Sequence, residues 1–92
     1  MLEICKMLTI STAHITKETA DMLSISETDL IVYDKDEYGW WIAVCDIDLY
    51  ELSGVPDDLA ACVRLAMQNG CEWLCLDCDG EVVDCLPTYE WE

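Results

Sequence analysis

Four cysteines near the C-terminal end have the residue type and spacing that could bind a metal. They are Cys71, Cys75, Cys78 and Cys85, and their spacing contains one Cys-x-x-Cys pair. Zinc is held by about four such ligands at the corners of a tetrahedron. The second Cys-x-x-Cys pair that would complete a zinc signature is missing, and the neighbouring acids disfavour the thiolate that redox chemistry needs. We expect structural thiols with no metal and no cofactor, and a zinc-binding or redox protein is the alternative.

Calcium binding and acid–base catalysis are the other chemistries that the residues suggest. The segment Asp77–Glu81 alternates acids, but Val82 and Thr88 stand where an EF-hand loop that starts at Asp77 needs glycine and glutamate. His14 is the sole histidine, and it stands in a polar break before a predicted helix, where a structural hydrogen-bonding role is more common. No phosphate-binding glycine loop or nucleophile motif is present in the sequence. We therefore expect a protein that is not an enzyme.

Acidic residues dominate the charge of the chain. It has 20 Asp+Glu against 4 Lys+Arg, which gives a formal net charge of −16. Self-repulsion on this scale destabilises a compact fold, and solubility needs a net charge of only about 2–8 in magnitude. Acids two apart on an extended chain repeat at roughly 6.6 Å, a spacing similar in scale to that of nucleic-acid phosphates, and an arginine fork accepts either anion. The acids that we expect at a partner-binding surface are Asp34, Asp36, Glu37, Asp46, Asp48, Glu51, Asp57, Asp58, Asp77, Asp79 and Glu81.

The elements that must position these acids indicate an α+β fold. Thr16 can cap a helix over Lys17–Ser24, and apolar residues recur with helical spacing after Pro56. Strands are predicted over residues 2–10, 30–33, 40–45, 71–77 and 81–86, and the last two are joined by an Asp79-Gly80 turn. We expect a mostly antiparallel sheet of four to five strands with two helices on one face, in the order β-α-β-β-α-β-β.

Two adjacent tryptophans lie in the third predicted strand. Side chains alternate between the faces of a strand, so Trp40 and Trp41 must point to opposite sides of the sheet. One ring is then in the core. The other is either exposed, where it could anchor a partner, or covered by the C-terminal tail.

Length and composition restrict the class of protein. The 92 residues form a single domain, 1–92, and 53% hydrophobic content argues against disorder. No stretch is apolar enough to span a membrane, and no secretory signal precedes the 7 cysteines, so we expect reduced thiols in a bacterial cytoplasm. The negative charge disfavours direct contact with nucleic acid or a membrane surface.

Several local motifs, in their order along the chain, resemble a family of small uncharacterised proteins of bacteria and their mobile elements. The motifs are Glu37-Tyr38-Gly39-Trp40, Gly70-Cys71-Glu72-Trp73, Asp77-Cys78-Asp79-Gly80 and Leu86-Pro87-Thr88-Tyr89-Glu90-Trp91. The resemblance implies an α+β domain and a mobile-element setting, without an established activity. By size and charge the chain also looks like acidic phage anti-CRISPR proteins and DNA mimics.

The charge and the resemblance together lead to one functional hypothesis. We expect a non-catalytic inhibitor from a phage or mobile element, which mimics nucleic-acid phosphates to block a basic nucleic-acid-binding protein. Its most specific target would be a CRISPR effector complex, where nucleic acid runs through a positively charged channel. The other alternative is an acidic accessory domain whose charge has no mimicry role.

Overall fold

Within the residues that the structure describes, four strands and two α-helices make up the fold. The computed structural model describes residues 4–25, 30–35, 38–44 and 54–90. In chain order the elements are β1 (Met7–Ser11), α1 (Lys17–Ser24), β2 (Val32–Lys35), β3 (Gly39–Ala43), α2 (Asp57–Gln68) and β4 (Trp73–Asp77), with a 3-10 turn at Thr12–His14 after β1. The predicted α+β class is confirmed.

The sheet is mixed, with strand order β1-β4-β3-β2. Strand β4 pairs with β1 in parallel and with β3 antiparallel, and β2 pairs antiparallel with β3. Strand β4, the last of these four in sequence, therefore lies between β1 and β3, and both of its hydrogen-bonding edges are occupied.

The C-terminal hairpin predicted from the sequence is reduced to a single bridge. The turn after β4 forms, because the Gly80 amide donates to the Asp77 carbonyl oxygen at 2.9 Å. Beyond it, Glu81 makes an isolated parallel bridge with Ile10 of β1, and the segment up to residue 90 contains no strand. The reason is the occupied edges of β4, which leave residues 81–86 no place to pair beside it.

One face of the sheet and both helices enclose the hydrophobic core. The buried residues that form one cluster include Ile10, Ile42, Leu74 and Leu76 from the strands, Ala20 and Leu23 from α1, and Leu59, Cys62, Val63 and Ala66 from α2. Helix α1 begins as predicted, since the Thr16 hydroxyl accepts a hydrogen bond from the Thr19 amide at 3.2 Å. Trp40 packs against this core, and Trp41 lies on the opposite face of the sheet, as the strand alternation predicts.

Candidate functional site

The face of the sheet opposite the helices carries a cluster of large side chains. We call this surface the open face and define it by Met7, Tyr33, Trp41, Trp73 and Cys75, which come from all four strands. Tyr33 is 55% exposed and Met7 is 45% exposed. Four members of this group, Met7, Tyr33, Trp41 and Trp73, line a cavity of about 480 Å³ together with Asp34 at its rim. That volume lies in the range of small-ligand and side-chain binding pockets.

Strand register explains why this surface is concave. Trp41 of β3 lies opposite Cys75 of β4, and Ala43 of β3 lies opposite Trp73 of β4, so each large ring faces a small residue. The Tyr33 and Trp73 rings then meet diagonally, with centroids 6.0 Å apart and planes at 42°. Cys75 is only 1% exposed although it lies on the side of the sheet away from α1 and α2, because the surrounding larger side chains enclose it.

A lysine–aspartate pair stands at one end of the open face. Lys35 forms an ion pair with Asp77, and its Nζ atom lies 5.5 Å from the centroid of the Trp41 ring and 3.7 Å from the Cys75 sulfur. The hydrogen bond from Lys35, followed by one from the Asp79 amide, holds the pKa of the Asp77 carboxyl below its usual value. The same hydrogen bond raises the pKa of Lys35. Both groups are therefore charged across the physiological range.

Several acids predicted at a partner-binding surface gather at the end of the sheet where β4 finishes. Ser11, Asp77, Gly39 and Lys35 form one row across the strands there. The start of α2 is at the same end, because Asp58 accepts a hydrogen bond from the amide of Thr16, the cap of α1, at 2.8 Å. We call the exposed residues Asp34, Asp57, Asp79 and Glu81 the acidic end.

The predicted acids divide by the contacts that they make. Asp58 and Asp77 are half-buried and serve the fold, through Thr16 and Lys35 respectively. The four residues of the acidic end are exposed. The remaining predicted acids, Asp36, Glu37, Asp46, Asp48 and Glu51, lie outside the described residues.

The cysteines proposed as alternative metal ligands are not brought together. Cys71 and Cys75 are buried, whereas Cys78 and Cys85 are exposed. Within residues 4–25, 30–35, 38–44 and 54–90, the one group of potential ligand atoms that converges is Asp77, Cys78 and Asp79, and its Asp77 is already paired with Lys35. Among the described residues, the four cysteine sulfurs therefore do not converge on the tetrahedral geometry that zinc requires.

A family assignment can be made on the sequence as a whole. A model described as "Family of unknown function (DUF5983) C-terminal domain" matches residues 7–91. The chain belongs to this family. No curated protein and no solved structure matches it. The expectation that the chain belongs to an uncharacterised family is thereby confirmed. Among the described residues, neither helix of the DUF5983 domain has the length and apolar character that a membrane crossing requires.

His14 of the DUF5983 domain is a structural residue rather than an exposed base. Its side chain is 1% exposed. Its Nδ1 atom lies 2.8 Å from the Pro87 carbonyl oxygen, and its Nε2 atom accepts the Val83 amide at 3.0 Å. With both ring nitrogens engaged, this histidine joins the C-terminal segment to the turn after β1, which supports the structural role expected from the sequence.

The thiols of the DUF5983 domain should differ sharply in reactivity. Burial, followed by the nearby negative charge of Asp58, raises the pKa of Cys62 to about 12. A shift from 9.0 to about 12 leaves roughly a thousandfold less thiolate at mildly alkaline pH. We expect iodoacetamide to modify the exposed Cys5, Cys78 and Cys85 first and Cys62 last, as read by mass spectrometry of the peptides. Denatured protein, in which all sites react alike, is the control, and equal native rates at Cys62 and Cys85 would contradict the burial.

The sequence predicts a tryptophan that points away from the core, which is Trp41, but it does not predict the rest of the open face. Its signals were present in the alternation of Trp73, Cys75 and Asp77 on one side of β4 and of Tyr33 and Lys35 on one side of β2. Those signals did not say which side of the sheet the helices would cover, because that depends on contacts between distant parts of the chain.

Proposed function

We propose that this protein is a non-catalytic binding protein whose partner is a basic nucleic-acid-binding protein. The observation that carries the proposal is the acidic end, where Asp34, Asp57, Asp79 and Glu81 are exposed at the finish of β2, the start of α2 and the turn after β4. Carboxylates presented together on rigid elements can occupy the arginine and lysine sites that otherwise receive phosphates.

The positions of the basic residues also support the acidic end as the partner-binding surface. The chain has four basic residues, and Lys35 is paired with Asp77. Lys6 lies at the opposite end of the sheet, where its Nζ donates to the Asn69 carbonyl oxygen at the end of α2 at 2.6 Å. Arg64 is exposed on α2, and Lys17 is exposed at the start of α1, next to Thr16 and so near the acidic end. The acids of the acidic end are therefore opposed by few cations, and an approaching basic groove gains electrostatic energy.

The setting follows from the sequence and stays a prediction. We place the protein in a bacterial cytoplasm, as a product of a phage or mobile element that blocks a host nucleic-acid-binding protein. A CRISPR effector complex is the most specific member of that partner class, since its nucleic acid runs in a positively charged channel.

A charge-matched pair of variants tests the acidic end. The double variant Asp79→Asn, Glu81→Gln neutralises two of its residues, and Asp21→Asn, Glu72→Gln removes the same charge from α1 and from the start of β4. The immobilised protein should capture basic nucleic-acid-binding proteins from bacterial lysate at low salt, release them at high salt and release them to added duplex DNA. We expect the first variant to weaken capture several-fold more than the second.

Two results would overturn the proposal. One is the absence of any DNA-competed basic protein at low salt. The other is an equal loss of capture in the two double variants, since this would mean that net charge alone attracts the partner and that the acidic end has no specific role.

A further inference from the structure

The open face is an unusual surface for so acidic a chain. Its exposed Tyr33 and Met7 and its half-buried Trp41 and Trp73 line a cavity of about 480 Å³. Charged groups border it, with Asp34 at the rim and the Lys35–Asp77 pair at one end. Apolar concavities with a polar border are characteristic of binding surfaces rather than of inert exposed faces.

The net negative charge of the chain discriminates among the molecules that could bind to the open face. A second copy of the chain would bring another −16 against it, and nucleic acid or an anionic lipid surface would add still more negative charge. A segment with positive charge gains energy from the same field. The bound molecule is therefore cationic. Its apolar contacts are made by the parts of its side chains that pack against the aromatic rings of the open face.

The face already holds one cation above an aromatic ring. The Lys35 Nζ atom lies 5.5 Å from the Trp41 centroid, within the range of a cation–π contact. Trp41 is thus occupied, and the tilted pair of Tyr33 and Trp73 is the platform that remains for an incoming group. A guanidinium is flat and weakly hydrated, so it stacks on such rings better than an ammonium, which holds its water more strongly.

We infer that the open face binds an arginine side chain of a basic polypeptide, stacked on Tyr33 and Trp73 beside Asp34. This rests on the proposed function for the basic nature of the partner, and it adds the surface and the side chain that are recognised. The acidic end attracts any cation, whereas the open face selects arginine over lysine.

Lys35 competes with an incoming arginine for two groups of the open face. It covers Trp41 and neutralises Asp77, which are the second ring and the second carboxylate that an arginine could use. Replacing Lys35 with methionine removes the ammonium group, which leaves the Asp77 carboxylate unpaired and the Trp41 ring without its cation. The substitution Lys17→Met on α1 changes the net charge by the same amount and leaves the open face intact.

Titrations with synthetic peptides, followed by tryptophan fluorescence and by calorimetry, test the inference. The probes are an oligo-arginine and an oligo-lysine of equal length. Tyr33→Ala should weaken arginine-peptide binding about 2- to 5-fold and lysine-peptide binding less. Tyr38→Ala, which removes a tyrosine of comparable exposure outside the cavity, should leave both unchanged. Lys35→Met should tighten arginine-peptide binding more than Lys17→Met does.

The outcomes separate this inference from the proposed function. Equal effects of Tyr33→Ala and Tyr38→Ala, or equal affinity for the two peptides, overturn the arginine site. The same result follows if sedimentation shows that the open face pairs two copies of the chain, or if single-stranded DNA binds to it. The double variant Asp79→Asn, Glu81→Gln tests the proposed function separately. It weakens the binding of both peptides alike if the acidic end attracts cations, and it leaves their binding unchanged if the proposed function is wrong.

Discussion

Replacement of Gly39 by alanine should prevent the domain from folding. Gly39 begins β3 with a φ of 156°, a conformation that L side chains rarely adopt. A Cβ atom there would lie 1.6 Å from the carbonyl oxygen and 2.7 Å from the carbonyl carbon of Leu76. These are backbone atoms of the central strand β4, so no rotation of a side chain relieves the overlap. The two strands would have to separate, which disrupts the pairing that joins β2 and β3 to the rest of the sheet.

The expected size of this effect is most of the free energy of unfolding. Single substitutions that cost more than about 4–5 kcal/mol are exceptional, and a domain has only about 5–15 kcal/mol in total. Far-UV circular dichroism and urea denaturation of Gly39→Ala should show no cooperative transition. Gly70→Ala is the control, because its φ of 70° disfavours a side chain but no atom lies within 4 Å of the added Cβ. It should cost about 1–2 kcal/mol. Equal stability of the two variants would contradict the close approach at Gly39.

Helices could be predicted from the sequence because their signals are local. The Thr16 cap and the first residue of α1 are adjacent, and the apolar spacing after Pro56 defines α2 within a few turns of chain. Both helices are found where the sequence places them. The acids at the start of α2 and in the turn after β4 were also located correctly, since glycine, proline and acidic residues determine those positions locally.

The pairing of β4 with β1 could not be predicted, because it joins residues far apart in sequence. A turn does follow β4, but Cys78 and Asp79 are at its centre rather than Asp79 and Gly80, and β1 occupies the β4 edge that the predicted last strand would have used. That pairing joins Met7 to Trp73, and no local pattern reports it. The open face as a whole was missed for the same reason, since the opposition of Trp41 and Cys75 depends on the register of β3 and β4.

The intramolecular contacts of Asp58 and Asp77 could not be predicted from the sequence either. In the sequence, Asp58 and Asp77 have the same residue type and similar spacing to the acids that are exposed in the structure. Asp58 meets the Thr16 amide from 42 positions away, and Asp77 meets Lys35 from 42 positions away as well. Each of these contacts requires the folded arrangement of the sheet and helices, and each removes a predicted binding residue from the acidic end.

Replacement of His14 by leucine should release the C-terminal segment and destabilise the fold. Leucine fills part of the buried space but can neither donate to the Pro87 carbonyl oxygen nor accept from the Val83 amide. A partly buried polar group left without its partner costs about 1–3 kcal/mol, so the loss of two gives about 2–6 kcal/mol in the free energy of unfolding. Urea denaturation measures this loss, and Val82→Ala, which changes an exposed side chain of the same segment, should stay within about 0.5 kcal/mol of the parent protein.

Hydrogen exchange distinguishes release of the segment from a general loss of stability. In the parent protein the Tyr89 amide donates to the Ala13 carbonyl oxygen at 2.8 Å, next to the His14 contacts. In His14→Leu, exchange at Val83 and Tyr89 should accelerate more than exchange in the β4 amides, because the strand keeps both of its neighbours. Uniform acceleration would mean that His14 supports the core as a whole, and unchanged exchange at Val83 would contradict its role as the acceptor. A selective effect would show that one buried imidazole attaches residues 81–90 to the domain, in place of the strand that the sequence had suggested.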